Sequence, residues 1–373
     1  MLYKLTNIIS NFWRVVNKYT LIAIALLLGI GIILVASSGQ VIASRIGVSA
    51  LYFANKQLIY LPISIFIILF VSTLNERRIR NIGILGYSIN IVFLILVLFY
   101  GNEIKGASRW LTIAGVSVQP SELVKPFLII TIAWCLSKSY HNNFPGIFIS
   151  LILYLITVML ISLQPDFGMM MMISCIIGSQ FFIAGMPFAW IVSAGAFIAS
   201  MTLAAFTYLP HVAHRINSFL DGNKQNYQVS KSILAFEQGG LYGVGPGEGL
   251  IKQVLPDCHT DFIFAVAGEE FGSIACVVIA SLFIFIVIYN LCRIQLETDR
   301  FKIYTVVGII TQFGLQACFN MCVALGLVPT KGMTLPLISY GGSSMIAISF
   351  SLGILLAFTQ RKVYINKFKD NIW

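Results

Sequence analysis

Long apolar runs recur along the whole chain and restrict its fold more than any other feature. A helix needs about 20 mostly apolar residues to cross a bilayer. Residues 167–214 contain no Lys, Arg, Asp or Glu, which is too long for one span, and Gly185-Met-Pro187 favours a turn within them. A chain that is 58% hydrophobic and 10% charged is not a soluble globular domain. The predicted spans are 19–38, 55–74, 82–100, 122–138, 144–163, 168–185, 188–208, 262–290, 304–328 and 338–359.

The distribution of Lys and Arg predicts the orientation of these ten spans. Short loops rich in Lys and Arg stay in the cytoplasm, and the short basic loops here are 75–80 and 293–302. We therefore expect an all-α polytopic membrane protein with both termini in the cytoplasm. A large extracytoplasmic loop, 209–261, would separate the seventh and eighth spans. The predicted organisation is an interfacial cytoplasmic segment at 1–18, a single ten-helix membrane domain at 19–359 and a basic cytoplasmic tail at 360–373.

Charge and cysteine usage exclude several classes of function. The net charge of +10 belongs largely to membrane-flanking loops and the tail, so it does not indicate nucleic-acid binding. The seven cysteines form no disulfide or zinc pattern. His211, His214 and His259 match no standard zinc spacing, so we predict no metal site. The sequence motifs require no cofactor, and they are compatible with a divalent cation that assists the reaction.

On this topology the first polar segment of the outer side spans residues 106–125. Arg109 and Lys125 are candidate donors to phosphate. Trp110 is either an interfacial anchor or a platform for a sugar or lipid headgroup. Glu122 and Lys125 lie three residues apart and share a helix face, so a local ion pair is the alternative interpretation.

The second polar cluster occupies residues 256–272, directly before and within the eighth span. It contains His259, Asp261, Glu269 and Glu270, and ionisable groups near a membrane are candidates for function because their burial is costly. Capping of the eighth span by Asp261 is the alternative. In a third, shorter turn, Asp166 is predicted to cap the following helix rather than to take part in catalysis.

The last outer segment, 329–344, combines a lysine with several helix-breaking residues. Prolines and glycines at membrane depth favour an irregular segment that is buried in protein or lines a cavity. Lys331 is the only charged residue in it, and its position favours contact with a ligand over a role as a lipid anchor.

Four motifs in these segments resemble those of the SEDS family, which comprises the FtsW, RodA and SpoVE proteins. They are Gln119-Pro-Ser-Glu-Leu-Val-Lys125, His259-Thr-Asp-Phe-Ile-Phe-Ala265, Gly268-Glu-Glu270 and Leu335-Pro-Leu-Ile-Ser-Tyr-Gly-Gly-Ser-Ser344. Pro329-Thr-Lys-Gly332 and Gly245-Pro-Gly-Glu-Gly249 resemble the FtsW branch more than RodA.

The resemblance implies a peptidoglycan glycosyltransferase of the bacterial cytoplasmic membrane. Such an enzyme polymerises lipid II, an undecaprenyl-pyrophosphate-linked disaccharide peptide, on the outer face during cell division. It works with a class B penicillin-binding protein transpeptidase and with other divisome membrane proteins. The essential acidic residue of the family falls on Asp261, and its basic outer residues fall on Arg109 and Lys125.

Inverting glycosyl transfer needs a base for the acceptor hydroxyl and cations for the pyrophosphate leaving group. Asp261 is the candidate base, although a helix N-terminus would weaken it by stabilising its carboxylate. The candidate substrate-binding residues are Arg109, Trp110, Glu122, Lys125, Arg215, His259, Glu269, Glu270, Lys331 and Ser343. A lipid II flippase, a RodA-like elongation polymerase and a scaffold for the transpeptidase are the alternatives. Collection of polar residues on one face favours an enzyme over a flippase, because a flippase needs a polar path through the bilayer.

Overall fold

The structure is a computed structural model that describes residues 16–104, 107–113, 116–140, 144–187 and 227–360, with positions 189, 200 and 207. Ten α-helices lie in this part of the chain. They are α1 (Lys18–Arg45), α2 (Tyr52–Ser72), α3 (Glu76–Tyr100), α4 (Pro120–Ser139), α5 (Gly146–Ser162), α6 (Phe167–Ile183), α7 (Tyr227–Gly239), α8 (Ile263–Ile294), α9 (Arg300–Ala324) and α10 (Gly342–Phe358).

These helices confirm a polytopic helical membrane protein. Six of them are long and apolar enough to cross a membrane, namely α1, α2, α3, α4, α8 and α9. The shorter apolar helices α5, α6 and α10 correspond to three further predicted spans. Apart from positions 189, 200 and 207, the predicted seventh span, 188–208, lies outside the described residues. Most of the interfacial segment at 1–18, the first part of the 209–261 loop and nearly all of the tail also lie outside them.

A small antiparallel sheet lies between α3 and α4, where no strand was predicted. It consists of β1 (Asn102–Ile104), β2 (Ala107–Ile113) and β3 (Val116–Val118), with β2 in the centre. Strands of three residues are too short for a period of two to stand out in the sequence. The sheet places Arg109 and Trp110 on its central strand, directly before the helix that carries Lys125.

Helix α8 corresponds to the predicted eighth span and has a kink at Gly272. Gly272 has φ 78° and ψ 178°, which is open to glycine but strained for other residues. The carbonyl groups of Glu269 and Glu270 accept hydrogen bonds from the amides of Val244 and Gly245, at 3.0 Å each. The glycine-rich loop after α7 thus satisfies backbone groups that the interruption releases.

Helices α4, α9 and α10 form the interior of the bundle. Helix α4 packs against α3, α5, α9 and α10, while α9 also contacts α6 and α8. The irregular segment 329–341 lies between α9 and α10 and has no regular secondary structure, as its prolines and glycines predicted. It folds against α9 and the residues before α8, which brings distant parts of the chain together.

Candidate active site

Two of the predicted phosphate ligands meet at one carboxylate. Asp166 Oδ1 lies 3.2 Å from Lys331 Nζ, and its Oδ2 lies 3.5 Å from Arg109 Nε. Arg109 also donates through Nη2 to the carbonyl oxygen of Pro165 at 2.7 Å. The cluster therefore joins β2, the turn before α6 and the irregular segment between α9 and α10.

Asp166 performs the predicted capping role and a second role that the sequence analysis missed. Its Oδ1 accepts from the amide of Met169 at 3.1 Å, which caps α6. Burial alone would raise the pKa of Asp166, but Lys331, Arg109 and the Met169 amide together hold that pKa below its ordinary value. Asp166 therefore stays ionised and carries a fixed negative charge between the two cations.

Lys331 loses its proton more readily than an ordinary lysine because its pKa is lowered. Burial lowers the pKa of Lys331 to about 8, and the nearby Asp166 carboxylate opposes this effect only in part. Gly168 makes room for the lysine, because a methyl group at that position would overlap the Lys331 side chain. The ammonium group is therefore held 3.2 Å from Asp166 Oδ1, with a pKa below that of an ordinary lysine.

The segment that carries Asp261 is fixed through its backbone. The carbonyl oxygen of His259 accepts from the amide of Tyr340 at 3.0 Å, and that of Thr260 accepts from Ser339 Oγ at 2.5 Å. Asn320 Nδ2 donates to the carbonyl oxygens of Asp261 and Met333, at 2.8 and 2.6 Å. Three successive carbonyl groups are thus anchored, which leaves the position of the Asp261 side chain closely determined.

Asp261 lies next to the residue that follows Lys331. A methyl group on Gly332 would lie 2.8 Å from Asp261 Oδ2, so the carboxylate rests against the Gly332 backbone. Asp261 is half-buried and precedes Phe262, the N-terminal capping residue of α8, which makes no side-chain capping bond. The Lys331-Gly332 dipeptide therefore connects the candidate base to the Arg109–Asp166 pair.

Lys125 and Glu122 form a buried ion pair, as their spacing predicted. Lys125 Nζ donates to Glu122 Oε2 at 2.9 Å and to Gln316 Oε1 at 3.0 Å. Gln316 Nε2 in turn donates to the carbonyl oxygen of Thr334 at 3.1 Å. Lys125 is only 1% exposed, and of its two partners Gln316 reaches the irregular segment, at Thr334.

His259 is enclosed by aromatic rings. Its ring centroid lies 4.6 Å from that of Phe53 and 5.5 Å from that of Tyr340. Burial lowers the pKa of His259 to about 4, although Asp257 partly opposes the shift. The imidazole is therefore neutral near pH 7, and it packs beside the anchored 259–261 segment.

Glu269 and Glu270 support the loop before the site. The Glu269 carboxylate accepts from the amides of Ile251 and Lys252, at 2.6 and 2.9 Å. Glu270 forms an ion pair with Lys252 and accepts from Ser37. Both carboxylates are almost fully buried and bound to protein groups.

Two of the remaining predicted residues, Ser343 and Trp110, lie around this cluster, and the others lie outside the part of the chain that the structure describes. Ser343 Oγ accepts from the amide of Gln119 at 3.1 Å, which joins the start of α10 to the start of α4. Trp110 is half-buried on β2, one residue from Arg109. Arg215, His211 and His214 lie outside the described residues. In the described part of the chain, no group of three or more His, Cys, Asp or Glu side chains could hold a metal ion.

Sequence reasoning missed Asn320, Gln316 and Gly332. Polar residues such as Asn320 and Gln316 inside an apolar helix were a usable signal, because an amide in a membrane span must find partners. No local pattern could show that Gly332 contacts Asp261, since 71 positions of sequence separate them.

Comparisons with known proteins identify the family of this chain. Residues 18–364 match the FtsW/RodA/SpoVE family model, described as cell cycle protein. The chain is 37% identical over 354 residues to a probable peptidoglycan glycosyltransferase FtsW of Caulobacter vibrioides, covering 94% of this chain and 91% of that protein. It is 33% identical over 359 residues to a protein of the same description from Geobacter sulfurreducens, covering 93% and 96%.

Solved structures show the same fold. The rod shape determining protein RodA of Thermus thermophilus matches with a TM-score of 0.68 at 23% identity, covering 93% of this chain and 97% of that one. A chain of a peptidoglycan synthase complex matches with a TM-score of 0.75 at 24% identity, covering 92% and 97%.

Proposed function

Because the chain belongs to the FtsW/RodA/SpoVE family of cell cycle proteins, we propose that it is a peptidoglycan glycosyltransferase. It polymerises lipid II into glycan strands on the outer face of the bacterial cytoplasmic membrane during septal wall synthesis. The observation that carries the proposal is the contact of Asp261 with Gly332, because the preceding residue, Lys331, forms an ion pair with Asp166.

In this reaction Asp261 takes the proton of the acceptor hydroxyl. The acceptor oxygen then forms a bond to the anomeric carbon of the donor, and the bond from that carbon to the pyrophosphate oxygen breaks on the opposite side. The configuration at the anomeric carbon inverts, and the lipid pyrophosphate leaves with the bonding electrons. A carboxylate anchored through its backbone is suited to this role, because general-base catalysis depends on position.

Arg109 and Lys331 stabilise the charge that develops on the leaving pyrophosphate. Both cations contact the Asp166 carboxylate in the described structure, and phosphate oxygens would compete for the same donors. Preorganised cations of this kind lower the barrier because they need little rearrangement as charge develops. Arg215, Trp110 and Ser343 are further proposed substrate ligands from the sequence, and Trp110 directly follows Arg109 on β2.

Buried ionic groups around the site hold it in place. Lys125 is paired with Glu122 and donates to Gln316, and Gln316 donates to the carbonyl oxygen of Thr334. We therefore assign the Glu122–Lys125 pair a role in positioning the irregular segment that carries Lys331. Glu269 and Glu270 likewise fix the loop at 247–252. His259 contributes a neutral ring that packs under the 259–261 backbone.

The proposed partners are a class B penicillin-binding protein transpeptidase and other divisome membrane proteins. A glycan polymer requires cross-linking to become a wall. A solved chain of similar fold belongs to a peptidoglycan synthase complex, whose description couples polymerisation to crosslinking. We therefore place this chain in an equivalent pair.

The test is polymerisation of purified lipid II by the purified protein, alone and with its transpeptidase partner. Asp261→Asn keeps the shape of the side chain but removes the base, so we expect glycan chains from the wild type and none from D261N. Thermal unfolding and membrane insertion of D261N should match the wild type. Full polymerisation by a folded D261N protein would refute the assignment of the base.

The same purified protein distinguishes the flippase alternative. In the described spans the buried charged residues are Glu122, Lys125, Glu269 and Glu270, and all four lie near one end of the bundle. This distribution favours chemistry on one face. Translocation of lipid II across liposomes without any polymer would instead support a flippase.

A further inference from the structure

A polar cavity lies at the opposite end of the bundle from the candidate active site. Helix α4 carries Lys125 near its start and Lys138 at its end, and 20 residues of helix span about 30 Å. The cavity at that far end has a volume of about 900 Å³. The helix ends around it come from α3, α4 and α9, and its lining includes Arg80, Trp134, Lys138, Tyr140 and Arg300.

The three cations in this lining are held on aromatic rings. Lys138 Nζ lies 5.4 Å from the ring centroid of Trp134, and Arg80 Cζ lies 6.0 Å from the same centroid. Arg300 Cζ lies over the Tyr140 ring. Among the described residues none of the three forms an ion pair with a carboxylate. Cation–π contacts orient the groups. Arg80 Nε also donates to Asn81 Oδ1 at 3.4 Å, and its two Nη atoms make no hydrogen bond to another described residue, so they can reach an anion.

The acidic residues of the cavity wall are already engaged by protein groups. Asp299 Oδ1 accepts from the amide of Phe301 at 2.9 Å and caps α9. Glu76 Oε2 lies 4.0 Å from Lys302 Nζ. The lining therefore carries the three cations against the two carboxylates of Glu76 and Asp299, which is an excess of one positive charge.

The surroundings of the cavity favour a lipid as the source of the anion. Trp and Tyr side chains at the ends of apolar helices mark the membrane interface, and Trp134 and Tyr140 occupy that position at the end of α4. Ile84 contributes an apolar wall, and beyond it α3 exposes Leu85 and Ile89. Acyl chains can follow this apolar surface while the headgroup occupies the cavity.

We propose that this cavity binds the phosphate headgroup of an anionic phospholipid, with Arg80, Lys138 and Arg300 as its ligands. Basic pockets between membrane helices on the cytoplasmic side are suited to such headgroups, and the positive loops place this end of the bundle there. Bound lipid would join the ends of α3, α4 and α9. The site is separate from the proposed polymerisation site and does not depend on it.

The test compares two variants of equal charge. Arg80→Gln with Lys138→Gln removes two cavity cations, while Arg77→Gln with Arg78→Gln removes two exposed cations from the same helix end, outside the cavity lining. Full-length protein is purified from phosphatidylcholine nanodiscs with or without phosphatidylglycerol, and retained lipid is measured by native mass spectrometry. At about 1 kcal/mol for each cation, R80Q/K138Q should lose roughly 30-fold in affinity for phosphatidylglycerol, and R77Q/R78Q much less.

Two further measurements complete the design. Ser137→Glu puts a carboxylate into the cavity wall and should also abolish retention, which provides a second variant if R80Q/K138Q fails to fold. Soluble glycerol phosphate should neither bind nor stabilise the wild type. Equal losses in R80Q/K138Q and R77Q/R78Q, or unchanged retention in S137E, would overturn the cavity site, and tight binding of glycerol phosphate would overturn the lipid as its ligand.

Discussion

The perturbed ammonium group of Lys331 makes the proposed reaction sensitive to alkaline pH. Burial lowers the pKa of Lys331 to about 8 despite the ion pair with Asp166. If the protonated lysine stabilises the leaving pyrophosphate, kcat/KM for lipid II should fall as the free enzyme loses this proton. The sign follows from the role, because a neutral amine cannot offset developing negative charge.

The size of the effect follows from the pKa. With a pKa of about 8, the protonated fraction of Lys331 is about nine-tenths at pH 7 and about one-tenth at pH 9. We therefore expect kcat/KM to fall roughly tenfold between these two pH values. Lys331→Arg should remove this decline, because a guanidinium group stays protonated throughout the range.

The assay is initial-rate polymerisation of lipid II at subsaturating concentration, from pH 6.5 to about 9.5. Lys56→Arg is the matched control, since Lys56 lies outside the cluster and rests over the Tyr52 ring at 4.5 Å. K56R should keep the alkaline decline of the wild type. A decline in K331R identical to that of the wild type would refute the assignment and show that another group titrates.

Two further predictions concern the neighbours of Lys331. Asp166→Asn keeps an oxygen that can cap α6 but removes the charge that raises the pKa of Lys331. The alkaline decline should therefore begin at lower pH. A profile unchanged from the wild type would contradict the electrostatic coupling between Asp166 and Lys331. Gly332→Ala places a methyl group 2.8 Å from Asp261 Oδ2, so polymerisation should fall at least tenfold while the protein remains folded. Gly29→Ala, where nothing lies within 4 Å of the added carbon, is its control and should polymerise at the wild-type rate.

Truncation of a charged side chain in the buried Glu122–Lys125 pair is a poor test of catalysis. Lys125 is buried with Glu122, and removal of one partner leaves an uncompensated charge inside the protein. Lys125→Ala would therefore both destabilise the fold and remove the positioning contact with Gln316, so a loss of activity would not separate the two effects. The pH profile of a lysine-to-arginine variant avoids this ambiguity because the positive charge is kept.

The apolar runs determined most of the fold directly. Each span had to satisfy its own backbone in a helix, since a bilayer core offers no other partners, and nine of the ten predicted spans appear as described helices. Ionisable residues in such a chain also indicated the site, because the bilayer core offers them no partners and their burial is costly. This argument predicted Arg109 and Lys331 as site residues and, with the family resemblance, Asp261, whereas it predicted Asp166 only as a helix cap.

Tertiary structure decided which of these residues meet. Asp166 contacts Arg109 and Lys331 across 57 and 165 positions of sequence, and the contacts arise because α6, β2 and the segment after α9 converge at one end of the bundle. No local period or propensity encodes that convergence. The lowered pKa of Lys331 likewise depends on burial supplied by several elements at once. The sequence alone determined a membrane bundle with polar residues at one end, whereas long-range packing selected the carboxylate that holds Arg109 and Lys331 and brought Asp261 against Gly332.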